Sequence, residues 1–120
     1  SGWCNVLHAH GPDIMFPLLR KYPVQIFNWH AWESLPEIGE AALLTGKCLM
    51  AGLERMDITE GHKNEIERQI YETLRQTGGR RIIVSPGCVI RYPLDREMLS
   101  FVRKAKEEIE EKMFPKPKMK

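Results

Sequence analysis

The chain alternates short apolar runs with longer stretches that mix apolar and polar residues, and this unit occurs four times. The runs have the length of buried strands, and the stretches that follow repeat apolar residues at helical spacing. The predicted strands are residues 4–8, 24–28, 47–51 and 81–85, and the predicted helices begin near residues 13, 34, 61 and 95. Because strands that alternate with helices favour a parallel sheet with right-handed crossovers, the pattern predicts an α/β fold.

The local signals for helix ends differ between the units. Ser34 and Glu37 are three residues apart and form a capping-box pattern, so the second helix is expected to begin at Ser34. The third helix, about residues 61–76, is predicted from a long amphipathic stretch, and Gly78-Gly79 is its predicted stop. The polar residues that precede it, from Glu54 to Asp57, are predicted to form a loop.

Composition narrows the class of protein. At 120 residues and 42% hydrophobic, the chain is expected to form one domain, residues 1–113, followed by a basic tail, residues 114–120. No apolar run approaches the ~20 residues that span a bilayer, so no membrane partner is expected. The net charge of +2 with no basic stripe argues against a nucleic-acid partner. Three cysteines without framework spacing indicate reduced thiols and a cytoplasmic location.

Candidate metal ligands stand directly after the first and fourth predicted strands. His8 and His10 are two residues apart, so in a strand both imidazoles project to the same face, and Cys88 follows the fourth strand. Two nitrogen donors and one sulfur donor suit zinc, with a fourth position open to water or substrate. The alternatives are histidines hydrogen-bonded at a strand end and a buried cysteine.

Geometry adds a condition to this zinc hypothesis. In a flat sheet the first and fourth strands are about 14 Å apart, since neighbouring strands are spaced by about 4.8 Å. Zinc needs its donors within about 2.3 Å of the ion. The three predicted ligands can therefore meet only if the sheet curves as it does in a barrel.

Further polar residues follow the second and third predicted strands. In a parallel α/β sheet, ligands bind at the carboxyl ends of the strands, so these residues are candidates for substrate binding. The candidates are Asn28, Trp29, His30 and Glu54. The alternatives are packing of the Trp29 indole in the core, a solvated loop histidine at His30, and a surface charge cluster around Glu54.

Four short motifs resemble the carboxyl-terminal half of the uroporphyrinogen decarboxylase superfamily. They are Leu-His-Ala-His-Gly at residues 7–11, Phe-Asn-Trp at 27–29, Met-Ala-Gly-Leu at 50–53 and Ser-Pro-Gly-Cys at 85–88. The resemblance covers about residues 3–112. Members of that superfamily are TIM (βα)8 barrels of roughly three times this length, so the resemblance implies a half-barrel that supplies strands five to eight of a longer protein.

The resemblance implies two enzymatic functions. In the corrinoid-dependent methyltransferase branch, a His-x-Cys and a later Cys bind zinc; His8 and Cys88 match, and His10 replaces the middle cysteine. That branch implies zinc-dependent methyl transfer between a corrinoid and a small acceptor, with a corrinoid protein or small molecule as partner. The alternative is decarboxylation of a uroporphyrinogen III-type tetrapyrrole by a carboxy-lyase. Decarboxylases have Gly-His-Gly where this chain has Gly87-Cys88-Val89.

A half-barrel would leave two strand edges without partners. The chain begins almost directly in a strand, so we expect a fragment that lacks its amino-terminal half and is inactive alone. Exposed apolar edges recruit other strands, so the isolated chain is expected to form a homodimer. A catalytically silent, self-associating fragment is therefore the third alternative.

Overall fold

A single parallel sheet is the centre of the molecule. The computed structural model describes residues 4–9, 14–32, 35–87, 90 and 95–115. The strands are β1 (Val6–His8), β2 (Ile26–Asn28), β3 (Cys48–Leu53) and β4 (Ile82–Pro86). They lie in the order β1-β2-β3-β4, and each neighbouring pair is parallel. The predicted α/β fold with a parallel sheet is confirmed.

Five helices are present in the described part of the chain. They are α1 (Phe16–Leu19), α2 (Ile38–Thr45), α3 (Arg55–Glu60), α4 (Lys63–Thr77) and α5 (Arg96–Met113). The two long helices begin and end close to their predicted bounds. The first helix begins at Phe16, later than the predicted start near residue 13. Pro17 lies in its first turn, where a missing amide hydrogen does not interrupt the helix.

The predicted loop around Glu54 is wrong, because this segment forms α3. The Glu54 carboxylate accepts hydrogen bonds from the amides of Met56 and Asp57, at 3.0 and 3.2 Å. These bonds satisfy amide groups that have no partner inside the first turn of a helix. A polar sequence that resembled a loop thus contains a helix cap.

The predicted capping box is also not observed. Glu37 is itself the N-cap of α2, with extended backbone angles (φ −67°, ψ 161°) and no side-chain cap hydrogen bond. Helix α2 begins at Ile38, after Pro36, whereas the prediction started it at Ser34. Ser34 itself lies outside the described residues.

Side chains alternate between the two faces of the sheet, and the helices pack on one face only. We call the residues of this side the helix-covered face: Leu7, Phe27, Leu49, Ala51, Leu53, Ile82 and Val84. They form two hydrophobic clusters with apolar residues of all five helices. We call the opposite side the open face: Val6, His8, Ile26, Asn28, Cys48, Met50, Ile83 and Ser85. No described helix packs on it, and Val6 and Ile83 remain 49% and 44% exposed.

Among the described residues, no helix combines the length and the apolar composition needed to cross a membrane.

Candidate functional site

The predicted site residues that the structure describes gather along one edge of the sheet. His8 and Asn28 are the last residues of β1 and β2, and Trp29 and His30 follow directly. Glu54 follows the last residue of β3. All four strands are parallel, so their carboxyl ends meet at this edge, which we call the carboxyl rim. His10 and Cys88 lie outside the described residues.

The side chain of Asn28 is hydrogen-bonded to residues of all three other strands. Its Nδ2 donates to the carbonyl oxygens of Met50 and Pro86, at 2.6 and 3.3 Å. Its Oδ1 lies 2.6 Å from Nδ1 of His8. The sequence predicts Asn28 at the rim but does not predict this bridging role. The signal was an amide side chain at the last position of a strand, in register with His8 on the open face.

The chain that leaves β4 passes very close to the end of β2. A Cβ built on Gly87 would lie 2.5 Å from the carbonyl oxygen of Trp29 and 2.8 Å from the Cα of His30. In a flat sheet, two strands separated by a third would be about 10 Å apart. The sheet is therefore curved at the carboxyl rim, and glycine is required at position 87 because any side chain would collide with backbone.

Trp29 and His30 are both buried, in contrast to His8. The Trp29 indole is 1% exposed within the hydrophobic core and donates its Nε1 hydrogen to the carbonyl oxygen of Pro36, at 3.1 Å. This is the core packing that the sequence left open as an alternative. His30 is only 7% exposed, so it is not a solvated loop histidine. His8 is exposed at the end of β1.

Glu54 belongs to a polar network that joins the rim to α4. Its amide donates to Oε1 of Gln69 at 2.9 Å, and Nε2 of Gln69 donates to Oδ2 of Asp57 at 2.6 Å. Gln69 is 2% exposed, so its two bonds compensate for burying an amide. Glu54 therefore holds α3 against α4 as well as capping it. The other oxygen, Oε1, is buried and meets no hydrogen-bond partner in the described part of the chain.

His62 continues this network toward solvent. Its Nδ1 lies 2.8 Å from Oδ1 of Asp57, and its Nε2 lies 3.4 Å from Oε2 of Glu60. The hydrogen bond to Asp57 raises the pKa of His62 above its ordinary value, and the charges of Glu60, Asp57 and Glu65 act in the same direction. Acidic partners on α3 and α4 thus favour the protonated imidazole.

Neither of the two cysteines that the structure describes, Cys4 and Cys48, lies at the carboxyl rim. Cys48 is the first residue of β3 and Cys4 precedes β1, so both lie near the amino ends of the strands. Burial raises the pKa of the Cys48 thiol, which disfavours the thiolate that binds metals. Within the described ranges, no three His, Cys, Asp or Glu side chains are grouped to hold a metal ion. The predicted set of His8, His10 and Cys88 includes two residues outside those ranges and stays a prediction.

In comparisons with known proteins, neither a protein-family model nor a curated protein sequence matched this chain.

Proposed function

We propose that this sheet is half of a (βα)8 barrel, as the resemblance implied. The strand order follows the chain order, and every described helix packs on the same face of the sheet. In a barrel, parallel strands follow one another in order and the helices form an outer ring. The open face would then line the barrel interior, and an amino-terminal half would complete the barrel.

Within this half-barrel we propose a zinc site at the carboxyl rim that serves methyl transfer between a corrinoid and a small acceptor. The supporting observation is the contact of Asn28 with both His8 and the carbonyl oxygen of Pro86. One carboxamide and two hydrogen bonds connect the His8 imidazole to the main chain at the end of β4. This contact supports the curvature that a shared metal site at the rim requires.

The chemistry of the three proposed donors suits a zinc ion. In the proposed site, the imidazoles of His8 and His10 and the thiolate of Cys88 would hold the metal. Zinc would act there as a Lewis acid that lowers the pKa of an acceptor group bound at its fourth position. Asn28 would orient His8, while the buried His30 and the helix-capping Glu54 lie at the same rim. The acceptor atom would lose its proton and take the methyl group from the corrinoid, whose cobalt would keep the electron pair of the broken cobalt–carbon bond.

Zinc content tests the proposed ligand set. We expect about one zinc per chain when the barrel is complete, measured by elemental analysis of the purified protein, and a large loss in Cys88→Ala. Cys48→Ala is the matched control, because Cys48 lies at the other end of the strands and its raised thiol pKa disfavours metal binding. Equal zinc in wild type and Cys88→Ala would contradict the assignment.

Methyl transfer itself needs a separate measurement. We expect zinc-loaded protein in which the amino-terminal half completes the barrel to demethylate methylcobalamin in the presence of a small thiol, and Cys88→Ala to lose this activity. Zinc binding without demethylation in the completed barrel would contradict methyl transfer and would leave the zinc site unaffected. A completed barrel without zinc would instead favour the decarboxylase alternative.

Self-association is the second candidate, and the outer edge of β4, which pairs with no other strand among the described residues, favours it. The amide of Leu49 bonds to the carbonyl oxygen of Arg81 at 2.8 Å, so the main-chain groups of Ile82 and Val84 point away from β3. Beside this edge, a groove of about 520 Å³ runs between β4 and α5. Its apolar lining includes Ile83, Val84, Ile90, Leu99 and Val102. A further parallel strand fits beside these groups, and β1 of a second copy would supply one.

Two matched substitutions test the homodimer. Leu99 is 39% exposed in the groove and Leu43 is 90% exposed on α2, away from it. We expect Leu99→Glu to shift sedimentation at micromolar concentration toward monomer and Leu43→Glu to leave it unchanged. A monomeric wild-type chain would contradict self-association.

A further inference from the structure

The carboxamide of Asn28 has one orientation that satisfies its surroundings. The oxygen and nitrogen of an asparagine side chain are distinguished by their hydrogen-bond partners. On one side of Asn28 are the carbonyl oxygens of Met50 and Pro86, which can only accept hydrogen bonds. The NH₂ group must therefore face these two oxygens, and Oδ1 must face His8.

This orientation determines which nitrogen of His8 carries the proton. The Asn28 Oδ1 atom can only accept, and it lies 2.6 Å from Nδ1 of His8. Nδ1 must therefore be the donor. In a neutral imidazole one nitrogen carries hydrogen and the other carries the lone pair, so the lone pair of His8 is on Nε2.

We infer that Asn28 is a positioning residue that holds His8 in the Nδ1–H tautomer, so that Nε2 is the atom His8 offers to a metal. For the metal, this inference rests on the proposed function. Histidines that bind metals almost always donate their other ring N–H to a hydrogen-bond acceptor, which fixes both tautomer and ring orientation. Asn28 occupies that place for His8, and its own orientation is set from β3 and β4.

This role differs from a purely structural one in its response to two substitutions of similar size. Asn28→Leu removes both the acceptor for His8 and the donors to Met50 and Pro86. Asn28→Asp removes the donors and keeps an oxygen for Nδ1. If Asn28 only ties the strands together, both variants fail alike; if it positions His8, Asn28→Asp retains what Asn28→Leu loses.

The tautomer is measured without metal. Long-range ¹H–¹⁵N correlation spectra of the ¹⁵N-labelled full chain at about pH 9, well above the ordinary histidine pKa of about 6.5, distinguish protonated from unprotonated ring nitrogens. His8→Gln identifies the His8 signals. We expect Nδ1–H in the wild type and in Asn28→Asp, and loss of this preference in Asn28→Leu. An Nε2–H tautomer of His8 in the wild type would overturn the inference.

Metal affinity provides the second readout. We expect Asn28→Leu to weaken zinc binding by about 10- to 100-fold, the usual effect of removing a partner of a ligating histidine. Asn28→Asp should bind within a few-fold of the wild type. Equal affinity in wild type and Asn28→Leu overturns the positioning role. A completed wild-type barrel that binds no zinc overturns the proposed function, whereas the metal-free spectra decide the tautomer separately.

Discussion

The two faces of the sheet differ in what covers them, although the same four strands form both. On the helix-covered face, Leu49 is 1% exposed and packs within a continuous core. On the open face, Val6 and Ile83 are about half exposed, and the polar side chains of His8 and Asn28 meet at the rim. The helix-covered face therefore provides most of the burial that stabilises the fold. The candidate zinc ligand His8, its partner Asn28 and the half-exposed apolar side chains lie on the open face.

The largest difference should appear between matched truncations on the two faces. We expect Leu49→Ala to lower the free energy of unfolding by about 3 kcal/mol, because it removes buried methyl groups and leaves a cavity. Ile83→Ala, at a residue 44% exposed, should cost less than about 1 kcal/mol in a monomer. Urea denaturation measures both. A large, concentration-dependent cost for Ile83→Ala would mean that another chain covers the open face.

A second pair compares two glycines with positive φ. Gly52 (φ +115°) has Oγ1 of Thr73 only 2.6 Å from the position of an added Cβ, whereas Gly61 (φ +75°) has nothing within 4 Å. We expect Gly52→Ala to cost about 3 kcal/mol, from backbone strain and collision with α4. Gly61→Ala should cost about 1 kcal/mol from strain alone. Equal costs in urea denaturation would show that contact between β3 and α4 is looser than the structure indicates.

A third pair concerns the starts of two helices on the covered face. The Asp95 carboxylate accepts from the amide of Glu97 at 2.9 Å, whereas the Glu37 side chain makes no cap hydrogen bond. We expect Asp95→Ala to cost about 1 kcal/mol and Glu37→Ala to cost little. Thermal denaturation that ranks the two variants in the opposite order would contradict the observed cap of α2.

The smallest effect should come from His62, which lies on the solvent side of the helix layer. Its pKa is raised in the folded state by the hydrogen bond to Asp57. The folded protein therefore binds this proton more tightly than the unfolded chain does. The resulting stabilisation is fully present below the unfolded pKa and is lost as the pH rises through the folded pKa.

Comparison with His62→Gln isolates this contribution from the other histidines. We expect the wild type to exceed the variant in thermal midpoint at about pH 5.5 and to lose that advantage by about pH 8.5, either side of the ordinary histidine pKa of about 6.5. A difference between the two proteins that is constant over this range would exclude a role for the charge on His62.

The pattern of apolar residues was sufficient to predict the strands and the two long helices. Ile66, Ile70 and Leu74 recur at the helical period, and all three are fully buried on α4. The same reasoning failed for α3 because the segment after β3 is dominated by polar residues. Its helix depends on the Glu54 carboxylate, which reaches back to two amides, and on Gln69, which is fifteen residues away.

Local capping signals were also insufficient to predict where α2 begins. Ser34 and Glu37 had the spacing of a capping box, but the backbone of Glu37 is extended and the helix begins one residue later. The spacing of two residues in a sequence does not determine their backbone angles. Pro36, directly before Glu37, restricts the residue that precedes it to extended conformations and moves the start of the helix toward the carboxyl end.

The sequence by itself determined the α/β class, the parallel order expected of repeated βα units, and the placement of His8, Asn28 and Glu54 at one edge. These features follow from periodicity and from chain direction, which are local properties. Only the tertiary structure decided that Asn28 joins His8 to the end of β4, and that Gly87 lies against the backbone of Trp29. The physical reason is curvature: it depends on how helices and strands pack together, and no spacing of residues along the chain specifies it.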